Sequence, residues 1–191
     1  MYQPSSTSSI YLSELLAAHE IFPTEDVEVV ASLILENRQN GTLFVAGNGG
    51  SATTASHMVT DLGVGSQKHG IGIRAIGLTD NQGIITATAN DLTYDRIFSE
   101  QLLLLGQAGD LFLAFSASGN SKNILNAFEA AKEMNIKTIA ITGFDGGEMR
   151  KTADFNIHIP TSLGSYGIVE DIHSSVSHLI TQLIRLNGIQ D

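Results

Sequence analysis

The stretch Leu43-Phe-Val-Ala-Gly47-Asn-Gly-Gly-Ser51 decides the architecture. A short apolar run without polar alternation ends on a glycine-rich turn, and helical spacing takes over after it. A strand apolar on both faces is one that helices cover on both sides, as in a parallel sheet. The same order of events recurs at Leu111–Ser116, which runs into Ala117-Ser-Gly-Asn-Ser121. Ile73–Leu78 and Thr138–Thr142 are further runs of this kind. Phe155–Ile159 instead alternates apolar Phe155, Ile157 and Ile159 with Asn156 and His158, the pattern of a half-exposed edge strand.

Between these runs lie helical segments. Thr24 opens one with the acidic first turn Glu25-Asp26, and Asn40-Gly41 ends it. Ser121 caps another through Ile124, Ala127, Phe128 and Ala131, with Asn135 as its stop. A third runs from about Tyr166 to Leu186, before Asn187-Gly188. Ile10 to Ile21 reads as a further helix that could pack across a subunit boundary, and Gly63 to Gly72 as a loop near the site. Alternating strands and helices predict an α/β fold, a three-layer doubly wound parallel sheet of about five strands with right-handed crossovers. No linker divides it, so residues 1–191 read as one domain with an N-terminal helical segment.

Composition narrows the partners. The 191 residues carry 10 Lys and Arg against 20 Asp and Glu, a formal charge of −10. No basic run is present, which disfavours nucleic acid. The absence of cysteine excludes disulfides, thiolate nucleophiles and Cys-type zinc sites. Met1 to Ile10 is Ser-rich, without the basic flank or apolar core of a signal peptide. No stretch approaches the roughly 20 apolar residues that span a bilayer. The expectation is a cytoplasmic protein without membrane or nucleic-acid partners.

In an open α/β sheet, ligands bind at the carboxyl ends of the strands. Two polar turns there, Gly47–Ser51 and Ser116–Ser121, point to one site. Glycines let the backbone approach a ligand, and helix N-termini with serine hydroxyls can hold an anion without lysine. Each turn alone is equally well an ordinary βα connection. Neither is a Walker A loop or a clean G-x-G-x-x-G fingerprint, which disfavours a nucleotide.

At these residues the sequence resembles the sugar isomerase (SIS) domain family, and within it the sedoheptulose 7-phosphate (phosphoheptose) isomerases. The similar blocks are Gly47–Ser51, His57–Leu62, Ala89-Asn-Asp91, Ser116–Ser121, Thr142–Gly147 and Glu170–His178. The resemblance implies a flavodoxin-like sheet and a homotetramer with sites at subunit boundaries. It implies a phosphosugar held by Asn48, Gly49, Gly50, Ser51, Asn90, Asp91, Ser116, Ser118, Ser121 and Glu170. It implies one zinc per site on His57, Asp61, Glu170 and His178, with Asp61 as base and His178 as acid or its partner. Three positions depart from the family pattern: Asp61 for the usual Glu, Glu170 for Gln, and Ala117 for Thr.

His57 and Asp61 lie four apart and share a helix face, so they can chelate zinc or form a metal-free surface pair. Glu170 and His178 are separated by about 12 Å of helical rise and point roughly 80° apart. They grip one ion only by leaning together, or they meet ligands of another subunit. His173 reads as a packing or supporting histidine, and His69 and His158 as surface residues. A ketose–aldose isomerase needs a base for a carbon-bound proton and an acid for the neighbouring oxygens, through an enediol. The resemblance implies that reaction on sedoheptulose 7-phosphate, in heptose supply for surface polysaccharide (lipopolysaccharide). The alternatives are isomerisation of another phosphosugar, and a non-catalytic member that binds a partner protein.

Overall fold

A computed structural model describes residues 4–187; residues 1–3 and 188–191, including the expected helix stop at Gly188, lie outside the described residues. The chain order is α1 (Pro4–Glu20), α2 (Thr24–Asn37), β1 (Leu43–Gly47), α3 (Gly50–Thr60), β2 (Ala75–Gly77), α4 (Gln82–Asp91), α5 (Ser99–Leu105), β3 (Leu111–Ser116), α6 (Lys122–Glu133), β4 (Lys137–Thr142), α7 (Gly147–Thr152), β5 (Phe155–His158) and α8 (Tyr166–Asn187). All five strands are parallel, in the order β2-β1-β3-β4-β5. This is the flavodoxin-like order, with its switch point between β1 and β3.

The apolar runs divide their side chains between two cores, one on each face of the sheet. Leu43, Val45, Leu111, Leu113, Phe115, Ile139 and Ile141 face α2, α3 and α8, while Phe44, Ala46, Phe112, Ala114 and Ala140 face α5 and α6. That two-sided burial is why these strands show no polar alternation. On α6, Ile124, Ala127, Phe128 and Ala131 are all buried. Asn135 adopts a left-handed φ of 59° just beyond the helix, where the sequence places its stop.

Local structure differs from the sequence reading in several places: α1 begins at Pro4 and not at Ile10, and α2 ends at Asn37, before Asn40-Gly41. The second strand pairs over only three residues and forms an edge, with Ile76 39 % exposed, so its apolar run is not covered on both faces. Pro23 occupies the cap position of α2, and Thr24 is the first helical residue, its hydroxyl donating to the Phe22 carbonyl. The expected loop from Gly63 begins instead as helix, because α3 continues into a π-helical turn over Asp61–Gly65 that buries Leu62. His158 is half-buried on the β5 edge, its Nδ1 3.0 Å from the Thr142 hydroxyl, and is not a free surface residue. Among the described residues no helix is long and apolar enough to cross a membrane.

Candidate functional site

The register of the sheet builds the site. Gly47 of β1 pairs with Phe115 of β3, so the turns that follow the two strands leave the sheet side by side at the switch point. Together they border a cavity of about 300 Å³. Its lining includes Asn48, Gly49, Gly50, Ser51, Ser116, Ser118, Ser121 and Glu170, eight of the residues expected from sequence, with Phe115, Ala117 and Tyr166. None of these lining residues is a lysine or arginine. Asn90 and Asp91 are not brought into the lining: they sit exposed at the end of α4, where Asn90 Nδ2 donates to the Asp91 carboxylate (2.8 Å).

Donors dominate the two turns. Gly49 takes a φ of 56°, which turns the chain directly into α3. The first amides of α3, at Gly50 and Ser51, have no acceptor within the helix. A Cβ on Gly50 would collide with the Glu170 carboxylate, so glycine here lets α8 approach the turn. In the second turn the Gly119 amide donates to Ser116 Oγ (3.1 Å) and the Asn120 amide to Ser118 Oγ (3.3 Å). Both hydroxyls act there as acceptors, so their hydrogens are free to be given to a ligand. Ser121 stands at the cap position of α6 without making a capping bond, contrary to the sequence reading, and lines the cavity.

A second constellation lies further along the same two helices. Ligand atoms of His57, Asp61 and His178 all lie within 4.8 Å of one another. His57 Nε2 is 3.6 Å from Asp61 Oδ2, and Arg185 approaches the other carboxylate oxygen at 3.9 Å. Two imidazoles and one carboxylate are the donor set of a three-residue metal site with an open position. Glu170 is outside this group. It faces Gly50 while His178, two turns on, faces His57. Glu170 and His178 thus meet two different positions on α3 within this chain.

Sequence reading missed several side chains here. Tyr94, in a 3₁₀ turn, donates its hydroxyl hydrogen to Asn48 Oδ1 (3.0 Å). Asn123, buried in the first turn of α6, exchanges two hydrogen bonds with the Asn48 amide. Arg185 donates to the Asp61 carbonyl (3.4 Å). None is visible as a motif, because each is defined by a partner tens of residues away. His173 is buried behind the site against Phe115, 5.8 Å between ring centroids. Burial pushes its pKa down to about 4, which the nearby Thr142 main chain offsets only in part.

The SIS domain signature matches residues 11–143. The phosphoheptose isomerase of Akkermansia muciniphila is 38% identical over 161 residues, 83% of this chain and 84% of that one. The solved phosphoheptose isomerase of Neisseria gonorrhoeae superposes with a TM-score of 0.81 at 30% identity, covering 94% of this chain and 95% of its own. That of Francisella tularensis gives 0.87 at 26% identity, covering 97% and 100%. The chain belongs to the SIS domain family and, within it, to the phosphoheptose isomerases.

Proposed function

We propose that the protein is a ketose–aldose isomerase that interconverts D-sedoheptulose 7-phosphate and D-glycero-D-manno-heptose 7-phosphate. The observation that carries this reading is the joint lining of one cation-free cavity by Asn48–Ser51 and Ser116–Ser121. The phosphoryl group lies against the α3 amides and the three serine hydroxyls, where a helix N-terminus favours an anion. From Gly50 to His57 the helix rises about 10 Å. An open-chain sugar with its ester at one end and its carbonyl at the other is suited to bridge from the cavity to His57, Asp61 and His178.

Those three residues are suited to hold zinc, their donor atoms being mutually close and their types being zinc ligands. Zinc bound there would supply Lewis-acid polarisation of the substrate carbonyl. Asp61 takes the proton from the carbon beside the carbonyl and returns it to the neighbouring carbon. His178, at the ring nitrogen that does not face the metal set, gives a proton to the carbonyl oxygen and removes one from the adjacent hydroxyl, so the substrate passes through an enediol. Glu170, facing the phosphosugar turn, contacts the ligand in this scheme and does not complete the metal set. Asn90 and Asp91 reach the ligand only with movement of α4 or from a neighbouring subunit.

The reading takes the chain as one domain with an N-terminal helical segment, acting in the cytoplasm as a homotetramer in lipopolysaccharide heptose supply. Supporting the assembly are exposed apolar residues on α1 and α5, including Leu16 at 67% and Leu104 at 77%. The test is purified protein with added zinc, incubated with sedoheptulose 7-phosphate beside pentose and hexose phosphates. Aldoheptose 7-phosphate should form fastest, and Asp61→Ala should abolish it. Faster turnover of a shorter sugar would transfer the assignment to that substrate. No product from any of them would leave a non-catalytic role.

A further inference from the structure

Asn48 is held on all but one of its hydrogen-bonding positions. Its Nδ2 donates to Asn123 Oδ1 (2.9 Å), and its Oδ1 accepts from Asn123 Nδ2 (2.8 Å) and from the Tyr94 hydroxyl (3.0 Å). A side-chain amide has two acceptor lone pairs and two donor hydrogens. Both lone pairs are therefore taken, and one N–H remains. Asn123 is 2% exposed, so its reciprocal pair with Asn48 is shielded from water on one side, whereas Asn48 itself lines the cavity.

We propose that Asn123 and Tyr94 are positioning residues that fix Asn48 as a pure donor, so that the first turn reads an acceptor oxygen of the phosphosugar and not a hydroxyl hydrogen. The inference rests on the phosphosugar reading of this cavity. Rotation of the Asn48 amide alone would break both contacts with Asn123 at once and set nitrogen against nitrogen and oxygen against oxygen. The pair thus locks the two amides to one another, and the Tyr94 hydroxyl, which donates to Asn48 Oδ1, selects the arrangement in which that oxygen faces it. Tyr94 comes from the turn that follows α4, so it also ties the Asn90-Asp91 end of that helix to the edge of the cavity.

A double-mutant cycle tests this, because residues that act only through a third lose their effect when it is removed. In otherwise wild-type protein, Asn123→Ala should raise the KM for sedoheptulose 7-phosphate about tenfold, with kcat changed less. Tyr94→Phe should raise it by a smaller factor, about threefold. In an Asn48→Ala background neither change should alter KM by more than about twofold. Should Asn123→Ala fail to fold, the same cycle with Tyr94→Phe, at an exposed ring, decides alone. Effects on KM that multiply in the Asn48→Ala background, or no effect on KM in the wild-type background, would overturn the proposal while leaving the isomerase assignment standing. A wild-type protein that turns over no phosphosugar would remove that assignment, and this proposal with it.

Discussion

His178 meets His57 edge to face, with ring centroids 5.0 Å apart and ring planes at 75°. The contact joins α8 to α3, and Asp61 enters it from one turn beyond His57. Three side chains from two helices are thus brought to one point by the packing of α8 on α3.

Zinc-loaded wild-type protein should keep its metal through gel filtration, and His57→Ala and His178→Ala should each lose it. Loss of a direct ligand should exceed the roughly 10–100-fold in affinity that removal of an outer-shell partner costs. Glu170→Ala should retain zinc, because its carboxylate lies outside the three-residue group. Metal content measured after gel filtration checks all three variants. Retention in both histidine variants would remove the site.

How much of this was legible beforehand depended on whether a signal was local. The bounds of β1 and β3 are legible because burial on both faces leaves an uninterrupted apolar run. The run at Ile73–Leu78 differs in carrying Arg74, which is exposed, and only Ala75–Gly77 pairs, in an edge strand with a neighbour on one side alone. The two turns were legible as a site because residue type and position coincide within a few residues. The division of labour on α8 was not. Whether Glu170 and His178 share a ligand depends on what α3 presents to each, and that is set by how the helices are aligned, not by spacing within either. Asn123 and Tyr94 were unreadable for the same reason: each contributes through a bond to Asn48, and neither stands in a recognisable pattern.

The idle cap at Ser121 separates ligand binding from helix stability. An N-cap serine replaced by alanine ordinarily costs about 1 kcal/mol. Ser121 makes no such bond, and it lines the cavity. Ser121→Ala should therefore leave the urea midpoint within about 0.5 kcal/mol of wild type, the range of a neutral surface change. Phosphosugar KM should rise about tenfold, the loss of one charge-assisted hydrogen bond at roughly 1.5 kcal/mol. A variant destabilised by a full capping bond, with KM unchanged, would return Ser121 to a structural role.

Gly50 offers the converse experiment on the first turn. Gly50→Ala places a methyl where the Glu170 carboxylate now sits, and that carboxylate ends a flexible side chain that can swing aside. Alanine also suits the first turn of a helix better than glycine. Stability should accordingly stay within about 1 kcal/mol of wild type. The methyl and the displaced carboxylate together crowd the amides that receive the phosphoryl group, so KM should rise by tenfold or more. Glu170→Gln in the Gly50→Ala background should restore only part of it, because the methyl remains. Full recovery in the double variant would show that charge, and not space, limits the turn. Comparing KM and unfolding midpoints across wild type, Gly50→Ala, Glu170→Gln and the double variant settles which.

His173 sets a pH dependence of stability that is independent of catalysis. Its ring is buried, neither nitrogen has a hydrogen-bond partner, and desolvation holds its pKa at about 4 against 6.5 in the unfolded chain. Between those values the unfolded chain binds a proton that the native protein does not, so stability falls as pH drops from 6.5 through 4. The contribution is present in full above pH 6.5 and its loss amounts to about 3 kcal/mol by the lower end. His158, also lowered chiefly by burial and then by Arg150, acts with the same sign. His173→Leu removes two unpartnered polar atoms from an apolar layer, a change that is near neutral when the remaining shape is filled. Urea unfolding of wild type and variant at intervals from pH 7 to pH 4.5 should show the wild type losing stability more steeply and the variant holding a flatter line. Parallel slopes would mean that the buried ring is already solvated or protonated in the native protein, and the acid sensitivity would then belong to the carboxylates.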